Sequence, residues 1–337
     1  MQQRVTLKDV FEAQKSIRGK VLRTPLVTAA RLSNRFGAEI LMKMETLQPI
    51  GAFKQRGATN AVAHLSEAAR KNGVVCCSTG NHGCALAYAA GAAGVKAVVC
   101  LSNLVPGVKV KAIEALGADV RRVGTSQDEA QNEVTRLVSD KGMTDIPPFD
   151  HPDVLAGQGT IGLELLEDQP DLETIMVPLS GGGLAGGIAL AAKTINPKIR
   201  IVGISMENGA AMARSLCEGK PVEVEEYASL ADSLGGGIGL ENRWTYPLCR
   251  DYLDDVVTVS EEEIYQGMQV LFHDEGIVAE GGSVVSVAAL LAQKSKANGK
   301  TAMIISGKNV EMTQFTAIIT GQDVILGDTV LKGERYA

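Results

Sequence analysis

Short apolar runs bounded by polar turns alternate with helix-period segments along most of this chain. VVCCST precedes the helical pattern CALAYAAGAAG, KAVVCLS precedes VKVKAIEALG, and ADVRRVG precedes QDEAQNEVTRLVSDKG. Continuous apolar strands joined by helices predict an α/β fold, its parallel sheet covered on both faces. The rhythm breaks at DIPPFDHPDVLAGQG, where paired prolines and glycines interrupt both periods. It resumes with TIMVPLSGGG and the small-residue helix AGGIALAAKTI. A crossing between structural units is therefore expected over residues 145–160. RIVGISM, DDVVTVS and TAMIISG read as later strands, and EEEIYQGMQVLFHDE and SVVSVAALLAQKSKANG as helices.

An opening helix and the strand ILMKMETLQ precede the first unit. One domain is thus expected to use both ends of the chain, residues 1–52 plus 155–325, with a smaller domain, 53–154, inserted between them. Residues 326–337 read as a tail too short for a regulatory module. The 337 residues, 45% hydrophobic, are ample for such cores. A net charge of -6 with scattered Lys and Arg offers no footprint for nucleic acid. The start MQQRVTLKDVFEAQKS lacks a basic flank and apolar core, and no run approaches the roughly 18 apolar residues of a spanning helix. A cytoplasmic protein without a membrane partner is expected. Six cysteines (Cys76, Cys77, Cys84, Cys100, Cys217, Cys249) lack metal-ligand spacing and read as buried reduced thiols. Adjacent Cys76 and Cys77 should point to opposite sides of a strand.

Three local features carry candidate chemistry. In GAFKQRGA, residues 51–58, Lys54 sits between glycines near a helix start. A lysine amine attacks a carbonyl only when neutral, so desolvation or nearby positive charge would suit Lys54 to that work, with Arg56 as one source of charge. Taken alone, a lysine here is more often an ordinary surface residue at a helix start. The second feature, Ser78, Thr79, Gly80, Asn81, His82 and Gly83, joins a strand to a helix start, where free amides and the dipole favour an anion. These side chains could instead merely cap their own helix, and His82 could pack, cap or act as a base. The third, Ser180, Gly181, Gly182, Gly183, Leu184, Ala185, Gly186 and Gly187, permits the close backbone approach a phosphate requires. Gly181, Gly183 and Gly186 also fit a dinucleotide fingerprint, with Glu207 at the expected distance, so nicotinamide binding stays open.

In order and spacing the three features together resemble the fold type II pyridoxal-phosphate enzymes, specifically the serine/threonine dehydratase and serine racemase group. The likeness covers essentially the whole chain and implies two doubly wound parallel-sheet domains of the tryptophan synthase β-like type. GAFKQRGA is similar to the family's S-F-K-x-R-G-A, with Ala52 for its serine, which makes Lys54 the Schiff-base lysine. The S-x-G-N-H loop implies substrate contacts for Ser78, Thr79, Gly80, Asn81 and His82, with Asn81 also near the cofactor. Ser180, Gly181, Gly182 and Gly183 match the phosphate cup, with serine for its first glycine. The resemblance also implies cofactor contacts for Phe53, inside the first motif, and Leu184, directly after the phosphate cup. SGKNVE resembles S-G-G-N-x-D, so Ser306 would meet the pyridine nitrogen, and Lys308 replaces a glycine. Glu280 falls at the cofactor's edge. The texture of PPFDHPDVLAGQGTIGLELL and LADSLGGGIGLENRW looks most like the hydroxyectoine-utilisation dehydratases.

The resemblance implies β-elimination from a small β-hydroxy amino acid, giving a 2-oxo acid and ammonium, with Lys54 taking the α-proton. A neutral serine at the ring nitrogen favours prompt loss of the β-substituent over transamination. The racemases' second acid/base is a serine where this chain has Thr79, a stiffer side chain that disfavours racemisation. Their cation-binding carboxylate aligns with Ser205, with Glu207 two positions on, so no metal is expected. A homodimer is expected from the family. Residues 156–159 and 234–239 are expected to line the distal pocket, where Gly235, Gly236 and Gly237 would form a roomy wall or a close packing site. The alternatives are an oxidoreductase using nicotinamide at the glycine loop, which leaves GAFKQRGA unexplained, and a retired binding protein for ectoine-like solutes, which has no use for the Lys54 amine.

Overall fold

The computed structural model describes residues 4–336 other than Thr79, Pro106 and the Val108 side chain. It opens with α1 (Leu7–Ser16), β1 (Leu26–Thr28), α2 (Ala30–Phe36) and β2 (Glu39–Met44). A second run comprises α3 (Lys54–Ala63), α4 (Glu67–Asn72), β3 (Val74–Cys77), α5 (Asn81–Ala92), β4 (Ala97–Leu101), α6 (Gly107–Glu114), β5 (Asp119–Arg122), α7 (Gln127–Lys141) and β6 (Thr144–Asp145). Then come α8 (Pro152–Asp168), β7 (Thr174–Pro178), α9 (Gly183–Ile195), β8 (Arg200–Met206), α10 (Ala211–Glu218), α11 (Thr245–Tyr252) and β9 (Asp255–Val259). The chain closes with α12 (Glu261–Glu275), α13 (Gly281–Leu291), β10 (Lys300–Ile305), α14 (Met312–Ile319), β11 (Val324–Leu326) and β12 (Thr329–Leu331).

Local chemistry sets many of these limits. Ser126 with Glu129 and Ser260 with Glu263 form capping boxes that start α7 and α12, and left-handed Gly142 and Gly276 end them. A left-handed Gln293 follows α13, so the SVVSVAALLAQKSKANG pattern is helical only to Leu291. In β3, Val74 and Cys76 enter one core while Val75 and Cys77 enter another. Both faces of this strand are covered, which is why it reads as an unbroken apolar run. All six cysteines are free, as expected, but Cys84 is only partly buried and Cys217 is exposed. Cys217 lies on the side of α10 turned away from buried Met212 and Ser215.

The strands form a six-stranded sheet, β1-β2-β10-β7-β8-β9, and a four-stranded sheet, β5-β4-β3-β6. Only β1 runs antiparallel in the first, and the second is parallel throughout. The six-stranded sheet takes strands from both ends of the chain, and the four-stranded sheet takes its own from between them. β11 and β12 make a separate hairpin, whose Leu326 and Leu331 join the core beside α12 and α14.

The expected interruption over residues 145–160 is mostly helix. α8 begins at Pro152, capped by His151 Nδ1 accepting from Asp153 N at 3.2 Å, and runs through Gly157, Gly159 and Gly162. Tertiary contact overrides the helix-breaking tendency of these glycines, because α8 lies directly against α3 and α9. A Cβ at Gly157 would lie 2.7 Å from Arg56 O, and one at Gly187 would lie 2.6 Å from Leu155 O. Residues 156–159 are therefore packed between helices and do not line a pocket, contrary to expectation. Gly157→Ala should destabilise the fold by about 1–3 kcal/mol through overpacking, seen as a lower urea midpoint with an unchanged slope.

Candidate active site

In an open α/β sheet a ligand site forms beyond the strand C-termini, where the strand order reverses direction. In the six-stranded sheet that reversal lies between β7 and β10, and in the four-stranded sheet between β3 and β6. The loops following β7, β10 and β3 carry Ser180, Ser306 and Ser78 respectively. Topology thus places three of the sequence motifs at the two switch points.

Lys54 is the first residue of α3, and the segment before it is tied to the loop after β10. Phe53 N donates to Ser306 O at 3.0 Å, Lys308 N donates to Gly51 O at 2.9 Å, and Ala52 bridges Gly307. Lys54 Nζ donates to Pro148 O at 2.6 Å and lies 5.3 Å from the Phe53 ring centroid. Burial brings its pKa down to about 8, with Glu280 opposing. Desolvation is thus the cause, not Arg56. Arg56 points into a buried cluster, donating to Glu45 at 2.8 and 2.9 Å and to Glu164 at 2.6 and 2.9 Å. Lys43 Nζ donates to the same Glu164 at 2.6 Å.

Ser180, Gly181, Gly182 and Gly183 turn the chain from β7 into α9, with Gly182 left-handed at φ +84°. Phe149 packs directly against Gly181 and Gly183, so a side chain at either would strike it. A Cβ at Gly182 would meet Met212 at 2.7 Å, Cys249 Sγ at 2.8 Å and Thr245 at 3.1 Å. Burial pushes the Cys249 thiol up to about 12, so it stays protonated and donates to Gly182 O at 3.6 Å. The Leu184 side chain enters the core with Ile188 and Ala189, away from the loop, while Phe53 packs partly on that core.

Across from this loop, Ser78 Oγ accepts from Gly83 N at 3.1 Å. Asn81 Nδ2 donates to Glu280 Oε1 at 3.0 Å. Thr79 lies outside the described residues. Asn309, not singled out from the sequence, donates to Ile50 O at 2.9 Å and to Asn81 Oδ1 at 2.6 Å, while its backbone N donates to Glu280 at 3.2 Å. It joins the Lys54, Asn81 and Glu280 segments, and its position inside SGKNVE was the available signal. Burial raises the Glu280 carboxyl, with Asn81 opposing. Buried Ser306 lies 2.9 Å from Ser283 Oγ, which itself donates to Gly307 O at 2.8 Å.

Burial, then the nearby Lys54 charge, pushes the His82 imidazole down to about 3. The ring is neutral, and Nε2 donates to Ile146 O at 2.7 Å. It is therefore a fixed polar contact and a poor base. His82 binds no proton when folded until about pH 3, whereas the unfolded ring takes one up near 6.5. Stability should accordingly fall with pH between those values, by about 1.4 kcal/mol per pH unit from this group. Urea unfolding of the wild type and His82→Gln at falling pH should show the wild type losing ground in that window.

Glu207, the acid of the dinucleotide fingerprint, is paired with Lys294 at 2.8 Å. Among the described residues no helix is long and apolar enough to cross a membrane, and none of the acidic, histidine and cysteine side chains form a cluster suited to a metal. The site combines a desolvated amine, a glycine turn opening a helix N-terminus, and a buried serine hydroxyl. That set fits a phosphorylated aldehyde carrying a ring nitrogen. Residues 17–307 match the family described as pyridoxal-phosphate dependent enzyme. A Sinorhizobium fredii protein provisionally named threonine dehydratase is 49% identical over 318 residues, spanning 94% of this chain and 96% of that one. The L-threonine ammonia-lyase of Thermotoga maritima is 40% identical over 94% of this chain and 78% of its own length. Among solved structures, serine racemase from Dictyostelium discoideum superposes with a TM-score of 0.85 at 36% identity, covering 91% of this chain and 99% of that one.

The chain belongs to the pyridoxal-phosphate dependent enzymes and has their fold type II architecture. That membership decides between the two cofactors the glycine loop admitted, in favour of pyridoxal phosphate.

Proposed function

We propose that this protein eliminates water from a small β-hydroxy amino acid, with L-threonine or L-serine as the first candidates, and releases a 2-oxo acid and ammonium. The observation that carries the reading is the Lys54 amine, held near a pKa of about 8 at the switch point of the larger sheet. The named relatives, a threonine dehydratase and an L-threonine ammonia-lyase, support the same reaction class.

Bound pyridoxal phosphate supplies a conjugated ring that accepts the electron pair left at the α-carbon. Lys54 would hold the cofactor, then take the α-proton. With a pKa of about 8, about a tenth of the free amine is neutral at pH 7, far more than for an ordinary lysine. The backbone amides of residues 180–183 would hold the phosphate, and Ser306 would meet the ring nitrogen. Asn81, oriented by Glu280 and Asn309, would lie against the cofactor and the substrate carboxylate, with Ser78, Thr79, Gly80 and His82 completing that loop. The α C–H and the β C–O bonds break, a Cα=Cβ bond forms, and water leaves. Hydrolysis of the released enamine then yields the 2-oxo acid and ammonium.

The purified protein should show a visible chromophore that borohydride bleaches and fixes on Lys54. L-threonine or L-serine should yield 2-oxo acid. A chromophore without product from either would move the substrate to a hydroxylated diamino acid of hydroxyectoine breakdown, and no chromophore after adding the cofactor would sink the reading. Likeness to a serine racemase makes racemase activity the alternative, against which the stiffer Thr79 counts, and chiral analysis of residual serine would detect it. A cytoplasmic homodimer completes the proposal.

A further inference from the structure

One short segment touches both halves of the candidate site. Pro148 O accepts from the Lys54 amine at 2.6 Å, and the next residue, Phe149, packs against Gly181 and Gly183. The residue after that, Asp150, is anchored elsewhere. Its carboxylate accepts from Arg243 N at 2.8 Å, Trp244 N at 2.8 Å and Thr245 N at 2.9 Å. Those amides open α11, whose own N-cap residue, Trp244, supplies no side-chain cap. A carboxylate on such amides is held by charge-assisted bonds and the helix dipole. Asn242 Oδ1 accepts from the next amide, Tyr246 N, at 2.7 Å, so this helix start is fully engaged.

The geometry closes on the glycine loop from two sides. Phe149 covers Gly181 and Gly183, and Thr245, in the first turn of α11, backs Gly182. Asp150 follows Phe149 in the chain and binds the Thr245 amide. One carboxylate thus ties together the two walls that pack on this loop, and the same segment carries the acceptor for Lys54.

We propose that Asp150 is a positioning residue: its bonds to the start of α11 hold the Pro148 carbonyl on the Lys54 amine and Phe149 on the glycine loop. The inference rests on the functional reading above for its catalytic meaning, but its geometry concerns the chain alone. Without the carboxylate, residues 148–150 are released from α11, more water reaches Lys54, and the loop loses its covering ring. The Lys54 amine then moves towards ordinary lysine behaviour, because burial is what displaces it.

The test uses cofactor-free full-length protein and two readouts. Competitive acetylation followed by mass spectrometry gives the Lys54 titration midpoint, and hydrogen–deuterium exchange gives the protection of residues 180–184 relative to the β3 and β4 amides. Asp150→Ala should raise the Lys54 midpoint by about one pH unit. It should also speed exchange in the loop by about tenfold while leaving β3 and β4 unchanged. Asp150→Asn, which keeps one acceptor oxygen, should show a smaller change of the same sign in both. An unmoved Lys54 midpoint, or a loop that exchanges no faster than the wild type, overturns the proposal. If Asp150→Ala fails to fold, Asp150→Asn decides on the same two readouts. Cofactor binding and threonine turnover by the wild type test the functional reading separately. A wild type that takes up no pyridoxal phosphate defeats that reading while these measurements still decide the role of Asp150.

Discussion

Replacing Lys54 with alanine should cut 2-oxo acid formation by about 10⁴-fold or more and leave no borohydride-fixable chromophore, while the protein becomes more stable. The loss combines the cofactor's covalent anchor with the base that takes the α-proton, and the base alone accounts for about 10²- to 10⁴-fold. The gain in stability follows from the same desolvation. The folded-state pKa of about 8 lies below the ordinary 10.5, so folding opposes the charged form of this lysine. That cost is fully present below pH 8 and fades as the pH rises towards 10.5. Lys54 keeps some contact with solvent, so the variant should gain about 1–2 kcal/mol at neutral pH, less than the pKa difference would suggest. Parallel urea titrations at neutral and alkaline pH would show this gain shrinking. A variant no more stable than the wild type would mean the amine is less desolvated than its surroundings indicate.

The other large effect belongs to Arg56, two residues further along the same helix. Arg56→Met should lower stability by about 3–5 kcal/mol, because it leaves Glu45 and Glu164 buried with Lys43 as their remaining cation. Burial works against the Arg56 charge, yet Glu45 and Glu164 outweigh it and hold its pKa above the ordinary value. Burial works against the Glu45 charge as well, but Arg56, Thr24 and Lys43 together outweigh it and hold its carboxyl below the ordinary range. Lys43 is pushed down by burial, with Glu164 countering. The four side chains come from β2, the turn after it, α3 and α8, so the cluster fixes where the helix carrying Lys54 begins. Adding Glu45→Gln to Arg56→Met should recover part of the loss, since it removes one stranded carboxylate. Strict additivity of the two changes would mean that they do not interact.

Much of the site was legible because its chemistry is local. Lys54 at a helix start, the glycine turn after an apolar strand and the S-T-G-N-H loop each occupy a strand-to-helix junction that period and turn residues reveal. The same local signals misread α8, since Gly157 and Gly159, which suggest a break, are places where α3 and α9 approach it closely. The direction of Arg56 was not legible for a related reason. Sequence places it beside Lys54, but the turn of α3 sends its guanidinium to Glu45 and Glu164, which lie 11 and 108 residues away. Asn309 and Asp150 escaped notice because what they do depends on partners from distant segments. Which residues could carry the chemistry and which strands are buried on both faces could be read from short segments, because strand period, turn preference and glycine's tolerance are local properties. Which charges meet, how deeply the Lys54 amine is desolvated and which carboxylate binds the start of α11 could not be read that way, because burial and long-range pairing exist only once the two sheets and their helices have packed.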